Sequence, residues 1–310
     1  MQARPTSPID PLVATVGGRY EDDLVTVQAC ANDRPRRGLH GVRTAHFDIA
    51  PVAGRLSVTH TIPTERIDDD LAGLIVEELF APGWVRGAEM FERIFTGIVR
   101  SSAVDALDSW ELFYRNTFRQ LGALRDRDSE PGTSPTADHF HGSIAGYAPV
   151  YDHACELVLP GSALELGCCF GFLSLRLAAE GRLTTASDVS AGTTRLLAAV
   201  APRLGITLDT VFADAARMPV PARSAENVLV IHLLEHLEPD HGSRVVAEAV
   251  RCARGRVVVA VPLEEEADES YGHVRTVSLD DLRTWGAATA RPFDVHEHHG
   301  GWLVIETAVN

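Results

Sequence analysis

Apolar positions change their rhythm partway along the chain. In "LVTVQAC", "GVRTAHFDIA" and "GRLSVTH" the β-branched residues alternate or cluster, which predicts strands. "IDDDLAGLIVEELF" and "AEMFERIFTGIVRSSAVDALDSWELFYRNTFRQL" carry their apolar residues at helical spacing instead. "RDRDSEPGTSPTADHFHG" then gathers Pro, Gly, Ser, Thr and charge, as a linker does. Beyond it, the strand-like runs "ALEL", "RLTTASDV", "LDTVFAD", "ENVLVIH" and "RVVVAVP" alternate with the helical patterns "GFLSLRLAAE", "AGTTRLLAAVAPRL" and "HGSRVVAEAVRCA". That alternation predicts a parallel α/β sheet covered on both faces. The tail "PFDVHEHHGGWLVIET" reads as two strands joined by a Gly-Gly turn, an antiparallel pair closing one edge. The chain thus divides into an N-terminal α+β region over 1–125, a linker over 126–142 and an α/β domain over 143–310.

Composition narrows the chemistry. There is no lysine, which removes P-loop phosphoryl transfer and Schiff-base catalysis. A formal charge of −15 repels phosphate backbones, so no nucleic-acid substrate is expected and the acceptor should be neutral or cationic. Five cysteines without a C-x-x-C pair read as reduced thiols. No apolar run approaches the length of a membrane span, and the opening residues lack a signal-peptide core. The expected location is the cytoplasm.

The first strand of the α/β region ends in "LELGCCFGF", with Glu165, Gly167 and Gly171 set directly before a helix. A glycine there lets backbone pass close beneath a ligand, and the helix start offers unpaired N–H groups. A nicotinamide-dependent oxidoreductase would need a second glycine where Cys169 stands, which weakens dinucleotide binding. Asp188 ends the second strand, where a carboxylate can accept ribose hydroxyls. Asp214 follows the third.

"LELGCCFGFLSLRLA", "SDVS", "FADAARMPVP" and "HLLEHLEP", in that order, resemble a class I S-adenosylmethionine-dependent methyltransferase over roughly residues 140–310. The resemblance implies a Rossmann-like fold with a seven-stranded sheet. It also implies a donor site made of Glu165, Gly167, Cys168 and Gly171 in the loop, Asp188 and Val189 at the ribose, Asp214 and Ala215 near the adenine, and His232 at the fourth strand tip. Cys168, Cys169 and Phe170 crowd the loop where many relatives carry smaller residues. His139 and His141, with Tyr147, precede the first strand, where relatives often close a lid.

"HLLEH" has the H-x-x-E-H spacing of a class of zinc proteases, but His232 leaves a buried strand and does not start in a helix. Relatives that methylate vicinal hydroxyls hold a divalent ion at this place, which implies a magnesium site of His232, Glu235, His236 and His273. The same histidines could instead serve as catalytic bases, His236 and His273 foremost with His232 beside them, or simply shape the pocket. The acidic run Glu264, Glu265, Glu266, Asp268 and Glu269 reads as solvated, and His296, His298 and His299 as strand-end surface, the first two on one face.

The expected activity is O-methylation. "FHGSIAGYAPVYDHACELVLPGSALELG" and "HGGWLVIE" further resemble mycofactocin oligosaccharide methyltransferases, which implies a glucose hydroxyl of a glycosylated redox cofactor as acceptor. A small-molecule acceptor such as a quinone, phenol or lipid would share every donor motif. The N-terminal region is long enough to complete the acceptor groove or to form a homodimer.

Overall fold

The computed structural model describes residues 6–30, 41–128 and 143–308. The chain separates into two compact units, the first ending at Ala145 and the second starting at Gly146.

In the first unit β1 (Arg19–Glu21), β2 (Val25–Ala29), β3 (Val42–Arg43), β4 (Phe47–Val52) and β5 (Arg55–His60) form a sheet in the order β1-β2-β5-β4-β3. Only the β2–β5 pair is parallel. Helix α1 (Leu71–Ile75) runs on into a π-helical turn over Val76–Phe80, and α2 (Ala88–Arg100) and α3 (Ala106–Asp128) follow. The long helical pattern of the sequence is broken between Arg100 and Ala106. There Asp105 Oδ1 accepts the N–H groups of Leu107 and Asp108 at 2.8 and 3.1 Å, restarting the helix with a side-chain cap. Val25, Val27 and Val58 of the sheet, with Ile94, Ile98 and Phe113 of the helices, are fully buried.

Helix α4 (Ile144–Leu157) leads into the second unit. Its elements are β6 (Ala163–Leu166), α5 (Phe172–Ala179), β7 (Thr184–Asp188), α6 (Ala191–Val200), β8 (Asp209–Phe212), β9 (Ala225–Ile231), α7 (Pro239–Cys252), β10 (Ala253–Val261), α8 (Leu279–Ala288), β11 (Phe293–Glu297) and β12 (Gly301–Glu306). They build the expected seven-stranded sheet in the order β11-β12-β10-β9-β6-β7-β8, with β12 antiparallel to both its neighbours and the other pairs parallel. The terminal hairpin closes one edge as the tail predicts.

Alternation in the central strands explains the layers. Val228 and Val230 of β9, Val257 and Val259 of β10, and Leu303 and Ile305 of β12 pack with α7 and α8. Their neighbours Leu229, Ile231, Val258, Ala260 and Trp302 pack with α4 and α5. Each strand therefore buries both faces, and the runs read as continuously apolar. From β6 the chain winds first toward β8 and then back through β9, so a crevice opens at the carboxyl ends of β6 and β9.

Candidate active site

The donor residues expected from the sequence lie at the carboxyl ends of β6, β7, β8 and β9, Glu165 and Asp188 within the last residues of their strands and the others in the segments that follow. The loop after β6 is held from two sides. Cys168 N–H donates to Ser187 O at 2.9 Å, and Cys169 N–H to Asp188 Oδ2 at 3.0 Å. Gly167 and Gly171 take positive φ of 72° and 74°. A Cβ would stand 2.7 Å from Leu233 Cδ1 at the first and 2.6 Å from Leu197 Cδ2 at the second, so both sites need glycine for conformation and for space. Glu165 lies beneath the loop, buried, where Ser174 Oγ on α5 donates to its Oε2 at 2.5 Å; burial pushes its carboxyl up to about 7. It fastens strand to helix.

Asp188 receives Ser190 N–H on its other oxygen at 2.8 Å. Burial raises its pKa, and the backbone N–H groups of Ser190, Cys169 and Val189 oppose that rise. The neighbouring Val189 is widely exposed, a flat apolar surface beside a fixed carboxylate. Asp214, two residues beyond β8, accepts the N–H of Ala216 at 2.9 Å and meets His241 Nε2 at 2.9 Å; the backbone bond first, then His241, lowers its pKa. Ala215 is half-buried between them. His241 escapes a sequence reading because it belongs to the first turn of α7, 27 residues further along.

"HLLEH" leaves the tip of β9 and folds into one 3-10 turn over Leu234–His236 before α7 begins. His232 has a left-handed φ of 50°, and its N–H donates to Ala260 O at 2.9 Å. A non-glycine residue held in that region at a strand tip marks a place where position matters more than backbone ease. Its ring meets Tyr147 edge-on at 5.6 Å. His139 and His141 lie outside the described residues.

Glu235 is 1% exposed, and neither carboxylate oxygen has a hydrogen-bond partner. Burial pushes it up to about 8; Glu264 adds to the rise and Arg275 opposes it. Arg275 itself lies over the Trp285 ring, 5.2 Å from its centroid. The loop after β10 is tied to this turn, since Val274 N–H donates to Glu235 O at 3.0 Å and His236 Nδ1 lies 3.2 Å from Gly272 O. The tie brings the His236 and His273 rings to 4.8 Å in an edge-on arrangement. Glu235, His236 and His273 form a group whose possible ligand atoms all lie within 4.8 Å of one another. His232 is not part of that group; its Nδ1 lies 3.8 Å from Glu235 Oε1.

One member of the acidic run is not solvated. The Glu264 side chain is only 6% exposed and its Oε2 lies 2.8 Å from His273 Nδ1. Glu265 and Glu266 face solvent as expected. A carboxylate accepts only, so His273 donates through Nδ1, and in the neutral ring Nε2 is then the nitrogen that carries the lone pair. The carbonyl of Gly272 sets the same tautomer in His236. Burial first, and then His273, lowers the pKa of His236, which favours the neutral ring. Two oriented imidazoles and a buried carboxylate can remove a proton, or bind a cation.

Residues 163–255 match the model of a methyltransferase domain family. The second unit carries a methyltransferase domain. Its sheet order and strand-tip loops make the fold Rossmann-like, of class I, beside a separate N-terminal sheet unit. The protein is an enzyme, a methyltransferase. Among solved structures it is similar to a SAM-dependent methyltransferase of Methanosarcina mazei, at 15% identity over 51% of this chain and 98% of that one, with a TM-score of 0.45. It is also similar to the magnesium protoporphyrin IX methyltransferase of Synechocystis PCC 6803 with bound SAM, at 17% identity over 63% and 95%, with a TM-score of 0.44. No curated protein matches the chain. Among the described residues of the methyltransferase and its companion unit, no helix is long and apolar enough to cross a membrane.

Proposed function

We propose that the protein transfers the methyl group of S-adenosylmethionine to a sugar hydroxyl of an oligosaccharide, with the glucan of a mycofactocin-type cofactor as the leading acceptor. The observation that carries this reading is the His273–Glu264 pair beside His236 and Glu235, at the strand tip next to the donor loop. A sugar hydroxyl has a high pKa and is a poor nucleophile, so the acceptor and not the donor needs activation. The Gly167–Gly171 loop would lie under the methionine part, Asp188 would accept the ribose hydroxyls, and Asp214 with Ala215 would meet the adenine. His273, oriented by Glu264, would take the hydroxyl proton on Nε2 as the oxygen attacks the methyl carbon in line. The C–S bond breaks, S-adenosylhomocysteine leaves, and the methyl configuration inverts. Alignment of the two substrates supplies much of the acceleration.

The residues present also fit a divalent cation. A fully buried carboxylate with no hydrogen-bond partner next to two imidazoles is a donor set that a cation would complete. Glu235, His236 and His273 would hold it, and it would supply Lewis-acid polarisation of paired acceptor hydroxyls. The net charge of −15 supports a neutral acceptor.

Incubation with labelled donor and a panel of glucosides, quinones, phenols and lipids tests the assignment. Label should enter a glucoside; transfer confined to the other classes overturns the sugar reading. Turnover should fall in excess chelator, and full activity there removes the cation.

A further inference from the structure

A second histidine cluster, at the turn of the terminal hairpin, shares no residue with the donor and acceptor groups. His153 on α4 and His296 on β11 face each other with their Nε2 atoms 2.9 Å apart. Their Nδ1 atoms are both taken by carboxylates, His153 by Glu156 Oε2 at 3.2 Å and His296 by Asp294 Oδ2 at 2.7 Å. An ionised carboxylate only accepts, so each ring must donate through Nδ1. In two neutral rings, both Nε2 atoms then present lone pairs to each other across that short gap. Such an arrangement calls for a positive centre between them, either a proton shared at hydrogen-bond distance or a metal ion.

The spacing says which metal would fit there. Two nitrogens each about 2.05 Å from one ion and 2.9 Å apart subtend an angle of about 90° at it. That is the cis angle of tetragonal nickel or copper, and widening the gap by about 0.4 Å reaches the tetrahedral angle of zinc. Neutral imidazoles do not suit magnesium or calcium, which prefer oxygen. A histidine whose other nitrogen is anchored to a carboxylate is also the usual form of a metal-binding histidine. A third donor is near, since the His298 ring lies 4.3 Å from that of His153. Its backbone is fixed by Trp302 Nε1 donating to His298 O at 2.7 Å, and buried Trp302 packs edge-on under His153 at 4.7 Å. The His153 and His296 side chains keep 16% and 32% of their surface, enough for an ion to enter.

We propose that His153 and His296, with His298 turning in as third ligand, bind one zinc, nickel or copper ion that pins α4 to the β11–β12 hairpin. The ion would act as a cross-link between a helix and the last two strands. Its ligands are none of the residues proposed for methyl transfer, so the site stands or falls separately from the acceptor assignment.

The test uses the full chain without a purification tag, stripped of metal, in a His236→Ala/His273→Ala background that silences the other cluster. Zinc and nickel chlorides are titrated by calorimetry, and melting is followed with and without metal. One equivalent should bind, Tm should rise with metal, and both effects should vanish in His153→Ala/His296→Ala. Asp294→Asn keeps every ligand and should weaken binding by about 10–100-fold. Absence of binding, or binding unchanged in a double variant whose circular dichroism matches the parent, overturns the proposal. Should the double variant fail to fold, unchanged affinity in Asp294→Asn together with His298→Ala overturns it as well.

Discussion

His273 Nδ1 lies 2.8 Å from Glu264 Oε2, and both side chains are less than a tenth exposed. A lone buried histidine could turn or adopt either tautomer; one held by a carboxylate offers the same nitrogen each time. Glu264→Gln should therefore lower kcat by about 10–100-fold through loss of orientation. His273→Ala should lower it by about 10²–10⁴-fold through loss of the base. Affinity for adenosylhomocysteine should stay unchanged in both, and the pH profile of kcat should shift in Glu264→Gln. A profile that matches wild type would show that the carboxylate only fills space.

Glu235 makes a pH prediction with a definite sign. Its folded pKa of about 8 stands above the ordinary 4.5, so the folded state holds this proton more tightly than the unfolded chain does. The resulting stability is complete below about pH 4.5 and is lost as pH rises through about 8. In metal-free buffer Glu235→Gln should melt higher than wild type at pH 9 and nearly level with it at pH 4.5. Each kcal/mol recovered is worth roughly 2–4 °C in a domain of this size. Equal melting of the two proteins at pH 9 would refute the assignment of that proton.

Asp188 anchors the donor reading. On the proposed reading, replacing it with Ala removes the acceptor for ribose hydroxyls, and hydrogen bonds to a charged group contribute about 1.5–3 kcal/mol each. The Kd for adenosylhomocysteine should rise by about tenfold or more, measured by calorimetry. Asp188→Asn retains one accepting oxygen and should fall between the two. An unchanged Kd in Asp188→Ala would move the ribose elsewhere.

Gly171→Ala tests the loop itself. The left-handed φ of 74° costs an alanine about 1–2 kcal/mol, and its Cβ would also meet Leu197 Cδ2 at 2.6 Å. Tm and donor affinity should both drop. Adding Leu197→Ala should recover the steric part of the loss relative to Leu197→Ala alone and leave the backbone part, a separation that a double-mutant cycle reads directly.

The second unit was legible because its signals are local. Residues 228–231 and 257–260 are apolar at every position since both faces of β9 and β10 are covered, and the motifs sit at strand tips where chain order alone puts them. Glu264 was not legible. Five acids in six residues look solvated, and only the path of the loop back over the 3-10 turn drives one of them inward onto His273. His241 against Asp214 is hidden for the same reason, as is the parallel pairing of β2 with β5, whose partners such as Val27 and Val58 are brought together only by the tertiary fold. The three-residue β1 is too short to show a period at all.

A Cβ at Gly167 would press on Leu233, and Leu233 stands between His232 and the turn that carries Glu235 and His236. On the proposed reading, the floor under the donor and the wall of the acceptor pocket thus meet at this one place. A side chain added at 167 to cripple donor binding would lever the imidazoles out of register, and the damage would surface first as a misaligned hydroxyl. A defect made at 167 should therefore reach both substrates at once.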